Sequence, residues 1–432
     1  LPTSGTVIAA PSTASTTVVL HGPSSSPTWS AVSLTADVSG TLPVANGGTG
    51  TATAFTVSGT NPLIESTGGG TGVTKTVNFG ALAESQSIGL SILETSGTVT
   101  YAFTNPVFRD FKIDSVAGTT IPNFAATIYG NYTYSTVNGS ATITAGTSAW
   151  TFAATSGTNT ITTNGYTHDM PFTFNGVGGT WALGGALTIG SSRLMTLTNG
   201  TLDLNGYTVS VGTFATGAGT KNITFNGGTL TVVGSGATAF NNAAPTNFST
   251  TAGTGTGTIS MTSASAKTFV GGGSTYRAKL NQGGAGALTI TGANTFNGIT
   301  NTYSATGATS ILFNATTTVA SFTASGSSGN LLTLNNSAAG SRRTLALTGG
   351  GSVSVDYLSV QDIGFTPTPA TDGTAPYVWY LGANSINTGN NAGGLFQSGA
   401  GANPIKVYQI TNTASGRADV ACCVMNRHAT VG

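Results

Sequence analysis

Short alternations of apolar and hydroxyl-bearing residues recur along most of this chain. Examples are Leu187-Thr188-Ile189, Val209-Ser210-Val211 and Leu288-Thr289-Ile290. Strict alternation over a few residues, followed by Gly or Asn, is typical of a strand that buries one face and then turns. Helix propensity is low because Gly, Thr, Ser and Asn are poor helix formers. The pattern therefore predicts an all-β protein.

The alternating clusters repeat at a nearly constant interval. Leu187, Val209 and Leu230 are 22 and 21 residues apart, and Leu202 and Ile223 are 21 apart. A second series, at intervals of 23, 21 and 21 residues, consists of Leu288, Ile311, Leu332 and Val353. An interval of this length is typical of a solenoid whose coils bury apolar faces on one another. The spacing predicts a right-handed parallel β-helix with three short strands in each coil. A β-sandwich or an up-and-down barrel is the alternative.

Asparagines recur at the expected turns, where stacked amides can bond from one coil to the next. They are Asn199, Asn205, Asn226 and Asn335. Changes in composition divide the chain into four segments. We expect an extended attachment or linker arm over residues 1–60, a small β-rich shoulder over 61–128, the β-helix rod over 129–397, and a cap or tail over 398–432.

Charge is scarce, at 6% of residues, and the net charge is +1. This composition excludes a highly charged disordered chain and a nucleic-acid binder, which needs clustered Lys and Arg. No apolar run is long enough for a membrane-spanning helix. Three scattered histidines and the adjacent Cys422 and Cys423 provide no metal-ligand spacing. We therefore expect no nucleic-acid partner, no membrane span, no metal and no cofactor.

Candidate catalytic groups are few. Glycan-cleaving enzymes use two facing carboxylates, and Asp356 with Asp362, six residues apart, is the pair to inspect. Asp at a strand end more often caps a turn or bonds backbone amides. His168 and Asp169 would point to opposite faces of a strand, and a surface turn is the expected location of His168. We therefore expect that the protein is not an enzyme.

Aromatic clusters are the better candidates for binding, because sugar rings stack on them while Thr, Ser and Asn supply neutral hydrogen bonds. The candidate glycan-binding residues are Tyr129, Tyr132, Tyr134, Tyr377, Trp379 and Tyr380. In a strand, Tyr132 shares a face with Tyr134, and Tyr377 with Trp379. The alternative is that these shared faces form the core or a subunit contact.

Residues 21–50 resemble a segment that recurs in bacteriophage tail-fibre and virion-fibre proteins. The matching elements are His-Gly, Leu-Thr-x-Asp-Val, Gly-Thr-Leu-Pro-Val and Asn-Gly-Gly-Thr-Gly, in that order. They contain the fibre-arm residues His21, Trp29, Asp37, Pro43, Asn46, Gly47, Gly48 and Gly50. Prophage-derived surface proteins of bacteria carry the same segment.

Two further resemblances concern the proposed coils. Residues 330–391 look like the end of β-helical surface proteins of phages and environmental bacteria, although this chain has Gly394-Leu395-Phe396 where that family often has Gly-Trp-Ile-Phe. Residues 287–298 are similar to autotransporter passenger repeats, which implies a β-helix and little more.

The resemblances imply a structural phage protein that is part of an elongated oligomeric fibre, usually a homotrimer in this family. Such a fibre projects from the virion and mediates adhesion to the host cell surface. The implied partners are other virion proteins and host polysaccharide or lipopolysaccharide, and the implied location is the virion, outside the cell. The alternatives are a bacterial surface adhesin or extracellular filament subunit and, more weakly, a glycan-depolymerising tailspike.

Overall fold

The computed structural model describes residues 18–21, 28–31, 54–56, 63–67, 71–79, 82–94, 97–114, 118–135, 141–368 and 378–396. The chain divides into two units, Leu1–Phe55 and Thr56–Gly432. In the first unit, β1 (Val18–His21) and β2 (Thr28–Ala31) form an antiparallel pair. Strand β3 (Ala54–Thr56) includes the boundary between the units.

The second unit is almost entirely β-structure. In chain order its strands are β4 (Leu63–Thr67), β5 (Thr71–Asn78), β6 (Ile88–Leu93), β7 (Thr98–Thr104), β8 (Val107–Ile113), β9 (Gly118–Ile121), β10 (Ala126–Ile128), β11 (Tyr132–Tyr134), β12 (Thr142–Ile143), β13 (Trp150–Phe152), β14 (Thr158–Thr162), β15 (Thr167–His168), β16 (Phe172–Leu183), β17 (Leu187–Ile189), β18 (Leu194–Asp203), β19 (Thr208–Val211), β20 (Thr213–Thr216), β21 (Lys221–Thr224), β22 (Thr229–Val232), β23 (Gly236–Asn241), β24 (Phe248–Thr251), β25 (Gly257–Met261), β26 (Lys267–Val270), β27 (Thr275–Gln282), β28 (Leu288–Thr291), β29 (Thr295–Asn301), β30 (Thr309–Phe313), β31 (Thr317–Thr323), β32 (Leu332–Asn336), β33 (Arg343–Val353), β34 (Leu358–Gln361), β35 (Ile363–Thr366), β36 (Trp379–Tyr380), β37 (Ile386–Gly389) and β38 (Gly394–Leu395).

These strands stack in parallel and form a β-solenoid of about 13 turns. Each coil has three faces. Strand β18 illustrates the geometry, because its first half pairs with β20 and its second half with β21, so it bends around the corner between two faces. The following strand, β19, pairs with β22 on the third face. The predicted fold class, a parallel β-helix, is therefore confirmed.

The third face belongs to a ten-stranded parallel sheet that begins at β15 and ends at β35. Leu187, Val209 and Leu230 are in register on this face, as the sequence spacing predicts. The same ladder continues through the fully buried Ile259, Leu280, Ile299 and Phe322 to the half-buried Val353 in β33. Leu202 lies opposite Ile223 on another face, also as predicted.

The second predicted series is wrong after its first step. Leu288 lies opposite Ile311, but Ile311 lies opposite Leu334. Leu332 instead lies opposite Leu358, and Val353 belongs to the ladder of the third face. The physical reason is the connection over residues 324–331, which lengthens this coil and shifts the register by two residues.

The apolar residues of the alternating pattern fill the interior. Phe214, Phe240 and Phe269 form a stacked column, with ring centroids 5.1 and 4.2 Å apart, and all three are fully buried. Burying one such side chain contributes about 1.5–3 kcal/mol relative to leaving it exposed. Repetition of this contribution in successive coils holds the stack together.

Asn205 and Asn226, two of the four asparagines predicted at turns, occupy corners between faces, whereas Asn335 lies within β32, opposite Leu312. Asn205 and Asn226 have φ of 48°, a left-handed conformation that Asn tolerates better than most residues. Their amides reach the preceding coil: Asn226 Nδ2 donates to Asp203 Oδ1 at 2.8 Å, and Asn205 Nδ2 donates to the Leu183 carbonyl at 3.0 Å. These bonds reinforce the backbone ladder from outside.

Strands on both sides of residue 128 belong to the same ladders. Phe111 in β8 lies opposite Tyr132 in β11, and Ile128 in β10 lies opposite Phe152 in β13. Residues of the predicted shoulder, 61–128, therefore contribute strands to the stack. The predicted cap or tail, 398–432, lies outside the described residues.

The helices of the described segments are two short 3-10 turns, Glu84–Gln86 and Tyr303–Ala305. Within those segments no helix has the length and apolar character needed to cross a membrane.

Candidate functional site

Three of the predicted glycan-binding aromatics lie in the solenoid interior. Tyr132 and Trp379 are 0% exposed and Tyr134 is 2% exposed. The Tyr134 hydroxyl donates to the Ala141 carbonyl at 2.5 Å, and Trp379 Nε1 donates to the Thr366 carbonyl at 2.9 Å. The face that Tyr132 and Tyr134 share is therefore the core, so the expectation that these rings stack on an external sugar is corrected in favour of the alternative.

The remaining predicted aromatics have different positions. Tyr129 and Tyr380 are half-buried, each next to fully buried neighbours in the chain. Tyr377 lies outside the described residues. The predicted clusters therefore do not provide a continuous aromatic surface within the described part of the chain.

The fibre-arm residues are only partly described. His21 ends β1, and Trp29 lies in β2 opposite Leu20. Asp37, Pro43, Asn46, Gly47, Gly48 and Gly50 lie outside the described residues, as do Cys422 and Cys423.

The prediction of a surface turn for His168 is wrong, because its side chain is 0% exposed. Its Nε2 is 2.6 Å from the Tyr132 hydroxyl, and its Nδ1 is 3.2 Å from the Tyr166 carbonyl. Burial lowers the pKa of His168 to about 3. The imidazole is therefore a neutral core group, while Asp169 points outward and pairs with Arg193 Nε at 2.6 Å.

The carboxylates that the sequence singles out hold turns. Asp356 Oδ1 accepts from the backbone N–H groups of Tyr357 and Asn384, at 2.8 and 2.7 Å. Asp362 Oδ2 accepts from the Gly340 N–H at 2.8 Å. Asp203 Oδ1 accepts from the Asn205 N–H at 2.8 Å. In each case the acceptor satisfies a turn amide, which is the ordinary use of Asp at a strand end.

Two lysines occupy inward positions that sequence analysis missed. Lys267 is 1% exposed, and its Nζ donates to the carbonyls of Ser263 and Gly286 at 3.0 and 2.6 Å. Burial lowers its pKa to about 8. Lys221, also 1% exposed, donates to the Gly219 and Thr246 carbonyls, and burial lowers its pKa too. The sequence does contain a signal for their inward orientation. Each lysine precedes a buried Ile or Phe by two residues, and residues two apart in a strand share a face.

The ionic segment that begins at Arg109 borders a surface depression of about 320 Å³. Arg109 Nε is 3.0 Å from Asp110 Oδ2, and Lys112 Nζ is 3.1 Å from Asp114 Oδ2. The depression also contains Ser91, whose buried hydroxyl has no hydrogen-bond partner among the described residues. Because each cation has an adjacent carboxylate, the charges of this depression are locally balanced.

An uncharged row of side chains runs along the outer side of the third face. We call it the polar row; its residues are Thr167, Thr188, Ser210, Thr231, Ser260, Asn281, Thr300 and Thr323. Adjacent members lie opposite each other on neighbouring strands, so they repeat at about 4.8 Å. Sequence analysis identified the alternation that produces this row but not its alignment.

A second row lies beside the first. We call it the threonine row; it consists of Thr208, Thr229 and Thr258, which are in register on β19, β22 and β25. Each is two residues before a member of the polar row, so about 6.6–6.8 Å separates the two rows. The pairing from β17 to β27 has no register shift. The hydroxyls therefore form a regular two-dimensional array.

On β17, β19 and β22 the members of the polar row are half-buried and reach solvent, whereas Ser260 and Asn281 are buried. Asn281 is hydrogen-bonded to both of its neighbours in the polar row. Its Nδ2 donates to Ser260 Oγ at 3.0 Å, and its Oδ1 accepts from Thr300 Oγ1 at 2.9 Å. Within the described residues, the hydroxyls of Thr188, Ser210 and Thr231 have no partner. Tyr207, which directly precedes the threonine row, is 40% exposed. Its position between Gly206 and the alternating β19 is the signal that could have identified it.

The described residues contain no cluster of three or more His, Cys, Asp or Glu side chains that could hold a metal ion. No protein-family model, curated protein or solved structure matches this chain.

Proposed function

We propose that this protein is a structural phage fibre protein that projects from the virion and mediates adhesion to a glycan of the host cell surface. Two features support the proposal: residues 21–50 resemble phage fibre proteins, and the third face of the coil stack carries the uncharged polar row and threonine row. The observation that carries the binding role is the hydroxyl array of the third face, because neutral hydroxyls beside an exposed aromatic ring suit sugar recognition.

The coil stack also suits a structural role outside the cell. Its cohesion comes from backbone ladders and buried apolar columns, and these interactions do not depend on counterions. In the proposed fibre, several copies associate, with a homotrimer as the expected assembly, and residues 1–60 attach to other virion proteins. Analytical ultracentrifugation of the full chain tests the assembly, since a trimer has three times the monomer mass and a monomer contradicts it.

Purified virions test the location. Mass spectrometry should detect peptides of this chain in particles banded on a density gradient, and immunogold labelling should place it on a projecting appendage. Absence of the protein from every particle fraction would overturn the virion assignment. Binding to host cells, and its loss after periodate oxidation of surface sugars, tests the glycan part of the proposal separately.

A bacterial surface adhesin or filament subunit is the second candidate, and one observation favours it. Ile386 in β37, among the last described strands, is 51% exposed. An exposed apolar residue at a strand edge can be covered by another copy of the chain. Negative-stain microscopy of the purified protein distinguishes this candidate, since extended filaments without any phage particle favour it over the virion fibre.

A depolymerising tailspike is the weakest alternative, because the carboxylates inspected in the sequence bond turn amides instead of facing each other across a groove. Incubation with host capsule or lipopolysaccharide and assay of new reducing ends decides this point. We expect no increase in reducing ends over a heat-denatured sample.

A further inference from the structure

We infer that the third face binds an uncharged, linear polysaccharide whose chain lies along the solenoid axis, with successive sugars on successive coils. This inference rests on the proposed adhesive function and specifies its site and its ligand class. It joins three observations: the repeat of the polar row, the free hydroxyls of the array and the exposed ring of Tyr207.

The polar row aligns a hydroxyl or amide on eight neighbouring strands of the sheet. Its members from Thr167 to Thr231 are exposed or half-buried, whereas Ser260 and Asn281 are buried. At about 4.8 Å for each of three steps, the accessible part extends over about 14 Å. A sugar residue in an extended chain has a length comparable to one coil step. Such a chain would place one sugar on each coil, and because sugars of an extended β-1,4-linked chain alternate in orientation, the same sugar face recurs at every second coil. A branched or helical chain would lose register after a few sugars.

The charge of the third face favours a neutral ligand. From β17 to β25 the outward side chains of the polar row and the threonine row carry no charge, and the first charged residue in line with them is Lys279, opposite Thr258. Binding an acidic polymer there would remove its carboxylates from water without a cation to pair with them, which is costly. The cations nearest a described depression are Arg109 and Lys112, and Asp110 and Asp114 already pair with them. The array therefore selects a neutral polymer.

Several hydroxyls of the array have no protein partner to give up. Thr188, Ser210 and Thr231 have no protein partner in the described segments, so sugar hydroxyls replace only water. Tyr207 adds a ring face on which the C–H groups of a sugar can stack. Each contact between a sugar and the array is weak. Once one sugar of a polymer is bound, binding of the next sugar to the next coil is intramolecular, so repeated contacts raise the affinity. The inference therefore predicts an affinity that increases with chain length.

The test uses the full chain and neutral β-1,4-linked oligosaccharides of two to eight residues, derived from cellulose, chitin and mannan, with alginate oligomers as the acidic comparison. The test variant combines Thr188→Val, Thr229→Val and Thr231→Val, which remove three array hydroxyls but keep β-branched side chains suited to strands. The matched control combines Thr158→Val, Thr180→Val and Thr201→Val. These three threonines are aligned on β14, β16 and β18, on another face. Circular dichroism and thermal melting check that both variants fold.

For at least one neutral series we expect the dissociation constant to fall at least tenfold from the disaccharide to the octasaccharide. We expect the test variant to weaken octasaccharide binding at least tenfold and the control to change it less than twofold. Tyr207→Ala should also weaken binding, by about fivefold, without altering the fold. Loss of binding in the control alone, or equal loss in both variants, would overturn the inference.

Other outcomes separate this inference from the proposed function. Tight binding of alginate oligomers that Arg109→Ala or Lys112→Ala abolishes would overturn the neutral-polymer site while retaining adhesion to glycans. Binding of whole host cells without binding of any neutral oligosaccharide would likewise overturn only the inference. If the chain binds neither cells nor sugars, the adhesive function fails as well.

Discussion

At the scale of single residues, the buried imidazole of His168 makes the free energy of unfolding depend on pH in the acid range. Its pKa is about 3 in the folded protein and 6.5 when exposed. Between these values the unfolded chain binds a proton that the folded chain does not, so the free energy of unfolding falls as pH falls through 6.5 towards 3. At pH 4 the loss from this group is about 3 kcal/mol.

Replacing His168 by Gln tests this origin. Carboxylates also titrate in this range, so the comparison is the difference between wild type and variant, measured by urea unfolding at pH 7 and pH 4. We expect the wild type to lose about 3 kcal/mol more than His168→Gln over this interval. Equal losses would mean that His168 is protonated in the folded state.

Lys267 predicts a pH dependence of the same sign on the alkaline side. Its pKa is about 8 in the folded protein and 10.5 when exposed, so between these values the unfolded chain again holds more protons. Stability contributed by this group therefore rises with pH above 8. Between pH 7 and 9.5 wild type should gain about 2 kcal/mol relative to Lys267→Met. Lys279→Met, which removes a lysine from the outer side of β27, is the control and should keep the wild-type slope.

At the scale of elements, the corner within β18 depends on close backbone approach at Gly200. This residue has φ of +83°, and an added Cβ would lie 2.5 and 2.7 Å from the carbonyl oxygens of Gly176 and Gly179. Gly206 has a similar φ of +81°, but its added Cβ would meet nothing closer than 3.5 Å. Alanine substitutions at these two glycines therefore distinguish the cost of backbone strain alone from the cost of strain plus steric overlap.

We expect Gly206→Ala to cost about 1 kcal/mol, the strain of a left-handed residue with a Cβ. Gly200→Ala should cost at least ~3 kcal/mol, because the corner must also open. Chemical denaturation of the two variants under the same conditions measures both costs. Similar costs for the two would contradict the close approach at the corner.

Element by element, the sequence predicts most of the fold because alternation is a local property. The register of Leu187, Val209 and Leu230 followed directly from equal spacing. Alignment beyond Ile311 did not, because the length of the connection before β32 is set by how the loop packs and leaves no periodic signal. The site was predicted less well for a related reason. Alternation places Tyr132 and Tyr134 on one face, but only the stacked neighbours decide that this face is inside.

At the scale of the whole molecule, ionic interactions contribute little to the solenoid. The ion pairs of the described residues are Lys75–Glu94, Arg109–Asp110, Lys112–Asp114 and Arg193–Asp169. All four precede Gly200 in the chain, and the three that involve exposed or half-exposed groups are worth ~0–1 kcal/mol each. From β19 onward the coils of the described residues are held by backbone ladders, apolar columns and side-chain hydrogen bonds, some of them from Lys or to Asp, without an ion pair.

Stability should therefore be nearly independent of sodium chloride. Raising its concentration from about 0.05 to 1 M shortens the Debye length from more than ~10 Å to ~3 Å, which would weaken a fold held by surface charges. We expect the thermal midpoint to move by less than about 3 °C, and chloride rather than sulfate is used because sulfate strengthens apolar burial by exclusion. A decrease of the thermal midpoint by about ten degrees or more would contradict a stack held by backbone ladders and buried apolar columns. It would indicate that the ion pairs of the coils before Gly200 contribute to stability. Glu94→Gln distinguishes these cases, because it removes the one buried carboxylate of the ion pairs and leaves the later coils unchanged.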